Sequence, residues 1–98
     1  MAEVPADVHA TARTIRITLK LYATLMAFLP EANRRQHAIE LNVPEGATLD
    51  AVIAPFGLPK ALVFLVLVNG VFIPPSARAR HRFEDGDVLA IWPPVAGG

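Results

Sequence analysis

An apolar run that ends abruptly on Asn69-Gly70 restricts what this chain can fold into more than any other stretch. Val63-Phe64-Leu65-Val66-Leu67-Val68 is apolar on both parities and rich in β-branched residues, which predicts a strand covered on both faces. Asn69-Gly70 then supplies two residues that tolerate positive φ, as a tight two-residue hairpin requires. Val71-Phe72-Ile73 is the short return strand, and Pro74-Pro75 stops it.

Other segments supply partners for this hairpin. Ile15, Ile17, Leu19 and Leu21 alternate with Thr14, Arg16, Thr18 and Lys20, a period of two that predicts a half-buried strand. Ile39, Leu41 and Val43 alternate with Glu40 and Asn42 in a second strand, expected antiparallel to the first. Between them, Leu25, Phe28 and Leu29 suit one or two helical turns before Pro30, and residues 31–36 read as a polar loop. Val43-Pro44-Glu45-Gly46 reads as a type I turn. Thr48 is a candidate N-cap, Asp50 favours the helix dipole, and Leu49, Val52 and Ile53 give an apolar face. Pro55 keeps that helix short. Ser76 to Arg82 reads as a polar, basic loop, Phe83 re-enters the core, and Glu84-Asp85-Gly86-Asp87 turns into a last strand, Val88 to Trp92. Residues 1–13 read as a loose leader. The predicted class is α+β, a mixed sheet of four to five strands on one main short helix.

Composition excludes several function classes. Ninety-eight residues make one domain, and 53% apolar content predicts a folded chain. Zero formal net charge argues against nucleic-acid binding. The eight apolar residues from Ala61 to Val68 are too few to span a bilayer, and the N-terminus lacks the marks of a signal peptide, so a cytoplasmic location is expected. With no cysteine, disulfides, cysteine metal sites and thiol nucleophiles are all ruled out. His9, His37 and His81 have no ligand spacing, so no metal is expected; His37 is expected to open the second strand and His81 to lie in a solvated loop. Ser76 has no evident base, and no glycine-rich phosphate loop is present, so no bound cofactor is expected. Arg78, Arg80 and Arg82 alternate; if extended they face one way, either solvated or against an acidic partner. Phe64, Phe72 and Trp92 divide between the core and a sheet face, and at least one of Phe72 and Trp92 is expected at a partner interface.

The last strand continues into Pro93-Pro94-Val95-Ala96-Gly97-Gly98. Two prolines stiffen the base of this tail, and six extended residues would carry its end about 20 Å from the sheet. Gly97 and Gly98 have no Cβ and can enter a narrow slot. A chance Gly-Gly pair at that position has a probability of about one in 200. The pattern suits a tail that delivers a terminal carboxylate into another protein's active site.

With Thr48, Asn69-Gly70 and Gly86-Asp87 at their places in the chain, this tail resembles that of the ubiquitin-like MoaD/ThiS sulfur-carrier family, in particular the small subunit of molybdopterin synthase. The resemblance covers roughly residues 14–98. It implies a β-grasp domain over 14–92, a flexible tail over 93–98, and a parallel central pairing of Ile15–Leu21 with Val88–Trp92. It also implies that an E1-like adenylyltransferase uses ATP to adenylate the Gly98 carboxylate, and that a persulfide donor converts it to a thiocarboxylate. A larger molybdopterin synthase subunit would then receive Pro93 to Gly98 and catalyse transfer, so the chain itself would not be an enzyme. Other outcomes open to the same tail are sulfur delivery to thiamine or tungsten-cofactor synthesis, or conjugation to lysines as a protein modifier. A module working through its sheet face is a further alternative. The chain departs from the family in its short helix cut by Pro55, its leader, and Phe83 where leucine is more common.

Overall fold

A computed structural model describes residues 13–94. Within them the elements run β1 (Thr14–Leu21), a 3-10 helix (Ala23–Phe28), α1 (Glu31–Arg34), β2 (Ala38–Pro44) and α2 (Leu49–Ile53). Two further 3-10 turns (Ala54–Phe56 and Lys60–Leu62), β3 (Leu65–Val68), β4 (Val71–Phe72), α3 (Pro75–Arg78) and β5 (Val88–Trp92) follow. The five strands form one mixed sheet in the order β2-β1-β5-β3-β4. β1 pairs antiparallel with β2 and parallel with β5, aligning Leu19 with Leu89 and Leu21 with Ile91. This is the ubiquitin-like β-grasp arrangement implied by the resemblance.

β1 and β3 each bury one parity, and β5 adds its own core-facing residues. Ile17, Leu19 and Leu21 of β1, Leu89 and Ile91 of β5, and Val66 and Val68 of β3 point to the same side. There Leu49 and Val52 of α2, Leu25 and Leu29 from the first 3-10 helix, Phe83 and Ile73 close over them. Each fully buried aliphatic side chain contributes roughly 2 kcal/mol. α2 begins as expected, with the Thr48 hydroxyl accepting from Ala51 N at 3.3 Å. It ends after five residues, and Pro55 continues the chain as a 3-10 turn up to Gly57 at φ 67°.

Four local expectations need correcting. The turn after β2 is displaced by one residue: Ala47 N bonds Pro44 O at 3.0 Å and Gly46, at φ 88°, takes the third position, as a type II turn requires. Residues 31–34 are a short helix, not a loop, because Arg34 folds back to donate to the carbonyls of Leu29 and Ala27. The 63–68 run is covered on one face only: within β3, Val66 and Val68 face the core and are buried, Leu65 and Leu67 on the other face are half-buried, and Phe64, which precedes the strand, stands 62% exposed. His81 is not a solvated loop residue; it is half-buried, edge-on to Phe83 at 4.9 Å, and its carbonyl accepts from Leu49 N.

Asn69-Gly70 closes the hairpin with φ of 52° and 84°, both positive as the tightest hairpin turn demands. Asn69 also ties the hairpin to β5. Its Nδ2 donates to Asp87 Oδ1 at 2.8 Å, its Oδ1 accepts from Val88 N at 2.9 Å, and its own N–H donates to Val88 O. Replacing Asn69 with Ala removes the side-chain bonds and puts a Cβ-bearing residue without compensation in the left-handed region. Urea denaturation should then give a stability loss of about 1–3 kcal/mol.

Candidate functional site at the end of the central strand

β5 lies between β1 and β3, so it is hydrogen-bonded on both sides. Its last pairings are Tyr22 N to Ile91 O and Phe64 N to Trp92 O, both at 3.2 Å. Pro93 and Pro94 carry no N–H, so the ladder stops there and the chain must leave the sheet. Pro93 is buried and Pro94 exposed, which marks the exit point to within one residue.

Trp92 is anchored by stacking. Its ring lies parallel to that of Tyr22, with centroids 4.4 Å apart and planes inclined by 6°. On the far side of Tyr22 sits His37, at 5.5 Å and 22°. The parallel register brings Tyr22 beside Trp92, because each directly follows the aligned pair Leu21 and Ile91. His37 reaches the stack from a turn at φ 61°, with its N–H on Arg34 O and its carbonyl accepting from Leu21 N. It stands one residue before β2, close to the expected place. Its Nδ1 is buried without a hydrogen-bond partner.

The face of the sheet away from the helices is divided. On the β1–β2 side it presents Arg16, Thr18, Lys20, Glu40 and Asn42. On the β3–β4 side the pleat brings Leu65 and Leu67 to the same face as Trp92 and Ala90, and Phe72 opposite Leu67. Phe72 is 51% exposed and Val71, at the hairpin tip, 64%. An apolar strip therefore runs from the hairpin to the point where the tail departs.

Of the candidate residues, the structure brings Phe72 and Trp92 onto this face and leaves Trp92 half-covered by Tyr22. The basic stretch behaves differently from an extended strip. Pro75–Arg78 is α3, so the three arginines do not share a face by alternation. Arg78 folds inward, donating to the carbonyls of Ile73 (3.1 Å), Val63 (2.9 Å) and Phe64 (2.8 Å). Partial burial pulls its pKa below the ordinary value, an effect opposed by the charge of Asp50. The guanidinium is thus a clamp joining the segment before β3 to the segment after β4. Arg80 and Arg82 are exposed, with Arg82 bridged to Thr48. Val95, Ala96, Gly97 and Gly98 lie outside the described residues. Tyr22 was missed by sequence reasoning, as was the stacking of His37 on it; only the parallel β1–β5 register would have singled out Tyr22.

Among the described residues, no group of three or more His, Asp or Glu side chains could hold a metal ion. None of the described helices is long and apolar enough to cross a membrane.

A family model described as Mut7-C ubiquitin matches residues 14–97, which span the whole sheet and most of the tail. The chain belongs to the Mut7-C ubiquitin family. Solved structures agree on the fold. The Haloferax volcanii HVO 2177 protein is 26% identical, covering 87% of this chain and 88% of that one, with a TM-score of 0.66. SAMP1 of the same organism, a small archaeal modifier protein, is 24% identical over 85% of this chain and 99% of its own, at 0.61. A chain from the Helicobacter pylori complex of molybdopterin-converting factor subunits 1 and 2 is 18% identical over 86% and 100%, at 0.50. No curated protein matches. The last two likenesses are likenesses of fold alone.

Two measurements probe the site. Trp92 is the only tryptophan, so its fluorescence reports on the stack. Tyr22→Ala should shift its emission to longer wavelength and lower stability by about 1 kcal/mol beyond lost packing area. Arg78→Met, which keeps the stem and removes three charge-assisted hydrogen bonds at a partly exposed position, should destabilise by about 1–2 kcal/mol in thermal or urea unfolding.

Proposed function

We propose that this chain is a sulfur carrier acting through the carboxylate of Gly98, and that it serves molybdopterin synthesis as the small synthase subunit. The observation that carries this reading is the course of β5, the central strand of the sheet, into Pro93-Pro94 beside an exposed apolar strip. A tail that starts from a strand hydrogen-bonded on both sides keeps its origin fixed while its end enters a partner. The Trp92–Tyr22 stack adds to that fixity. The likeness to a chain of the Helicobacter pylori subunit 1–subunit 2 complex supports a larger synthase subunit as partner.

The chemistry is assigned to the partners. A carboxylate is ionised near neutral pH and resists nucleophilic attack. An E1-like adenylyltransferase would join it to the α-phosphate of ATP, with pyrophosphate leaving. The terminal sulfur of a persulfide would then attack the acyl carbon and expel AMP, giving an acyl disulfide. A second thiol would cleave its S–S bond, forming a disulfide with the donor and leaving the thiocarboxylate on Gly98. This chain would contribute reach, a slender glycine end and a docking surface at Leu65, Leu67 and Phe72, with no acid–base group of its own in the reaction. The same steps up to the thiocarboxylate would also serve thiamine or tungsten-cofactor synthesis.

A second reading, conjugation to lysine amines as a protein modifier, is favoured by the fold likeness to SAMP1 over nearly all of that chain. Adenylation is common to both, so the fate of the acyl group decides between them.

Incubating the untagged protein with an E1-like partner, ATP and a persulfide donor should raise its intact mass by the difference between sulfur and oxygen, and deleting Gly98 should abolish the gain. An unchanged mass with several such partners would refute the carrier reading, and Gly98-dependent adducts on other proteins would favour the modifier. Phe72→Asp should leave the unfolding midpoint nearly unchanged and weaken binding to the larger subunit at least tenfold.

A further inference from the structure

The opposite border of the sheet carries a second surface. Among the described residues β2 is an edge strand, paired only with β1. Leu21 N donates to His37 O, so the antiparallel register directs the backbone groups of Ile39, Leu41 and Val43 toward β1. Those of the alternate residues point outward. At the ends of the strand they are satisfied: Ala38 O accepts from Asn33 Nδ2 at 3.1 Å, and Pro44 O from Ala47 N at 3.0 Å. In the middle, the N–H and C=O of Glu40 and Asn42 face outward, and neither residue takes part in the backbone hydrogen bonds that connect loops, turns and caps.

Beside this open stretch lies a groove of about 620 Å³ between β2 and α2 with its following turn. Leu41, Val43, Ala51, Val52, Pro55 and Phe56 make it apolar, and Glu45 is its only charged lining residue. Glu40 is on the same strand, but its side chain lies on the opposite face of the sheet, 3.8 Å from Arg16. An apolar trough, an unpaired strand edge along it and one carboxylate at its rim are together the features that recognise an extended peptide.

We propose that this groove binds an extended segment of another protein, with alternating apolar residues and a flanking lysine or arginine. The segment adds to the sheet as a sixth strand through the backbone of Glu40 and Asn42. Its apolar side chains fill the trough against Val52 and Phe56, and its cation meets Glu45. The groove lies at the β2 border, whereas the apolar strip and the tail exit lie at β3–β5, so both partners can be held at once. Recruitment through β2 would leave the carboxyl tail unobstructed.

The test uses the full-length chain, labelled with 15N, titrated with the synthetic peptide acetyl-Lys-Val-Thr-Ile-Thr-Val-Lys-amide and with the same peptide carrying Glu for Lys. The lysine peptide should shift the amides of residues 40–47 and 51–56 and slow hydrogen exchange at Glu40 and Asn42. Glu45→Lys should weaken the lysine peptide by about two- to fivefold and strengthen the glutamate peptide. Asn42→Pro, which removes an outward donor at a position where an edge strand tolerates proline, should weaken binding about five- to tenfold. Circular dichroism verifies the fold of each variant, and Glu45→Lys stands alone if the proline variant unfolds. Absence of binding at millimolar peptide, shifts confined to Phe72 and Trp92, or indifference to Glu45→Lys would overturn the proposal. Concentration-dependent shifts of the same amides without peptide would overturn it in favour of a second copy of the chain.

Discussion

The parallel pairing of β1 with β5 at the centre of the sheet is the constraint on which the rest of the structure depends. Two strands whose aligned residues are 70 positions apart, as Leu19 and Leu89 are, can lie side by side in parallel only if everything between them forms a crossover. β2, α2 and the hairpin are that crossover. Once β5 is central, its core-facing Leu89 and Ile91 are buried completely, and its end has hydrogen-bonded neighbours on both sides. The position of Trp92, and hence the point where Pro93 leaves the sheet, follows from this pairing.

The same pairing produces the aromatic stack. Tyr22 and Trp92 follow an aligned pair, so their rings meet without any local sequence signal between them. His37 joins because β2 must begin where its carbonyl can accept from Leu21, and the turn that allows this takes a positive φ. Three residues distant in sequence thus form one small assembly at the root of the tail. Arg78 has a comparable role on the other side of the hairpin, bonding three carbonyls that no strand partner serves.

The sheet keeps all of its helical cover on one face, and that asymmetry creates both surfaces considered above. Five residues of α2 and a few 3-10 turns are enough to seal the core but not to reach over the far face or the β2 border. The far face is left with an apolar half beside the tail exit and a polar half over β1 and β2. The groove along β2 is bounded by the five residues of α2 and by Pro55 and Phe56 of the 3-10 turn that follows.

Much of this was legible in the sequence. Alternation over Thr14–Leu21, 39–43 and the last strand gave the half-buried strands, Asn69-Gly70 gave the hairpin with both φ values positive, and Thr48 gave the helix start. These features are local, set by side-chain period and backbone sterics within a few residues. The end of the sheet at Pro93-Pro94 was equally plain, because neither residue can donate to the ladder. What the sequence alone could not decide depended on contacts between distant residues. Both-parity apolarity in 63–68 looked like two covered faces, yet coverage depends on where the helices pack, and Leu65 and Leu67 were left partly open. Three alternating arginines looked like one charged face, yet unpaired carbonyls around Arg78 drew it inward and α3 broke the alternation. Hydrogen-bond demand and helix placement are properties of the assembled sheet, so only the tertiary structure could settle them.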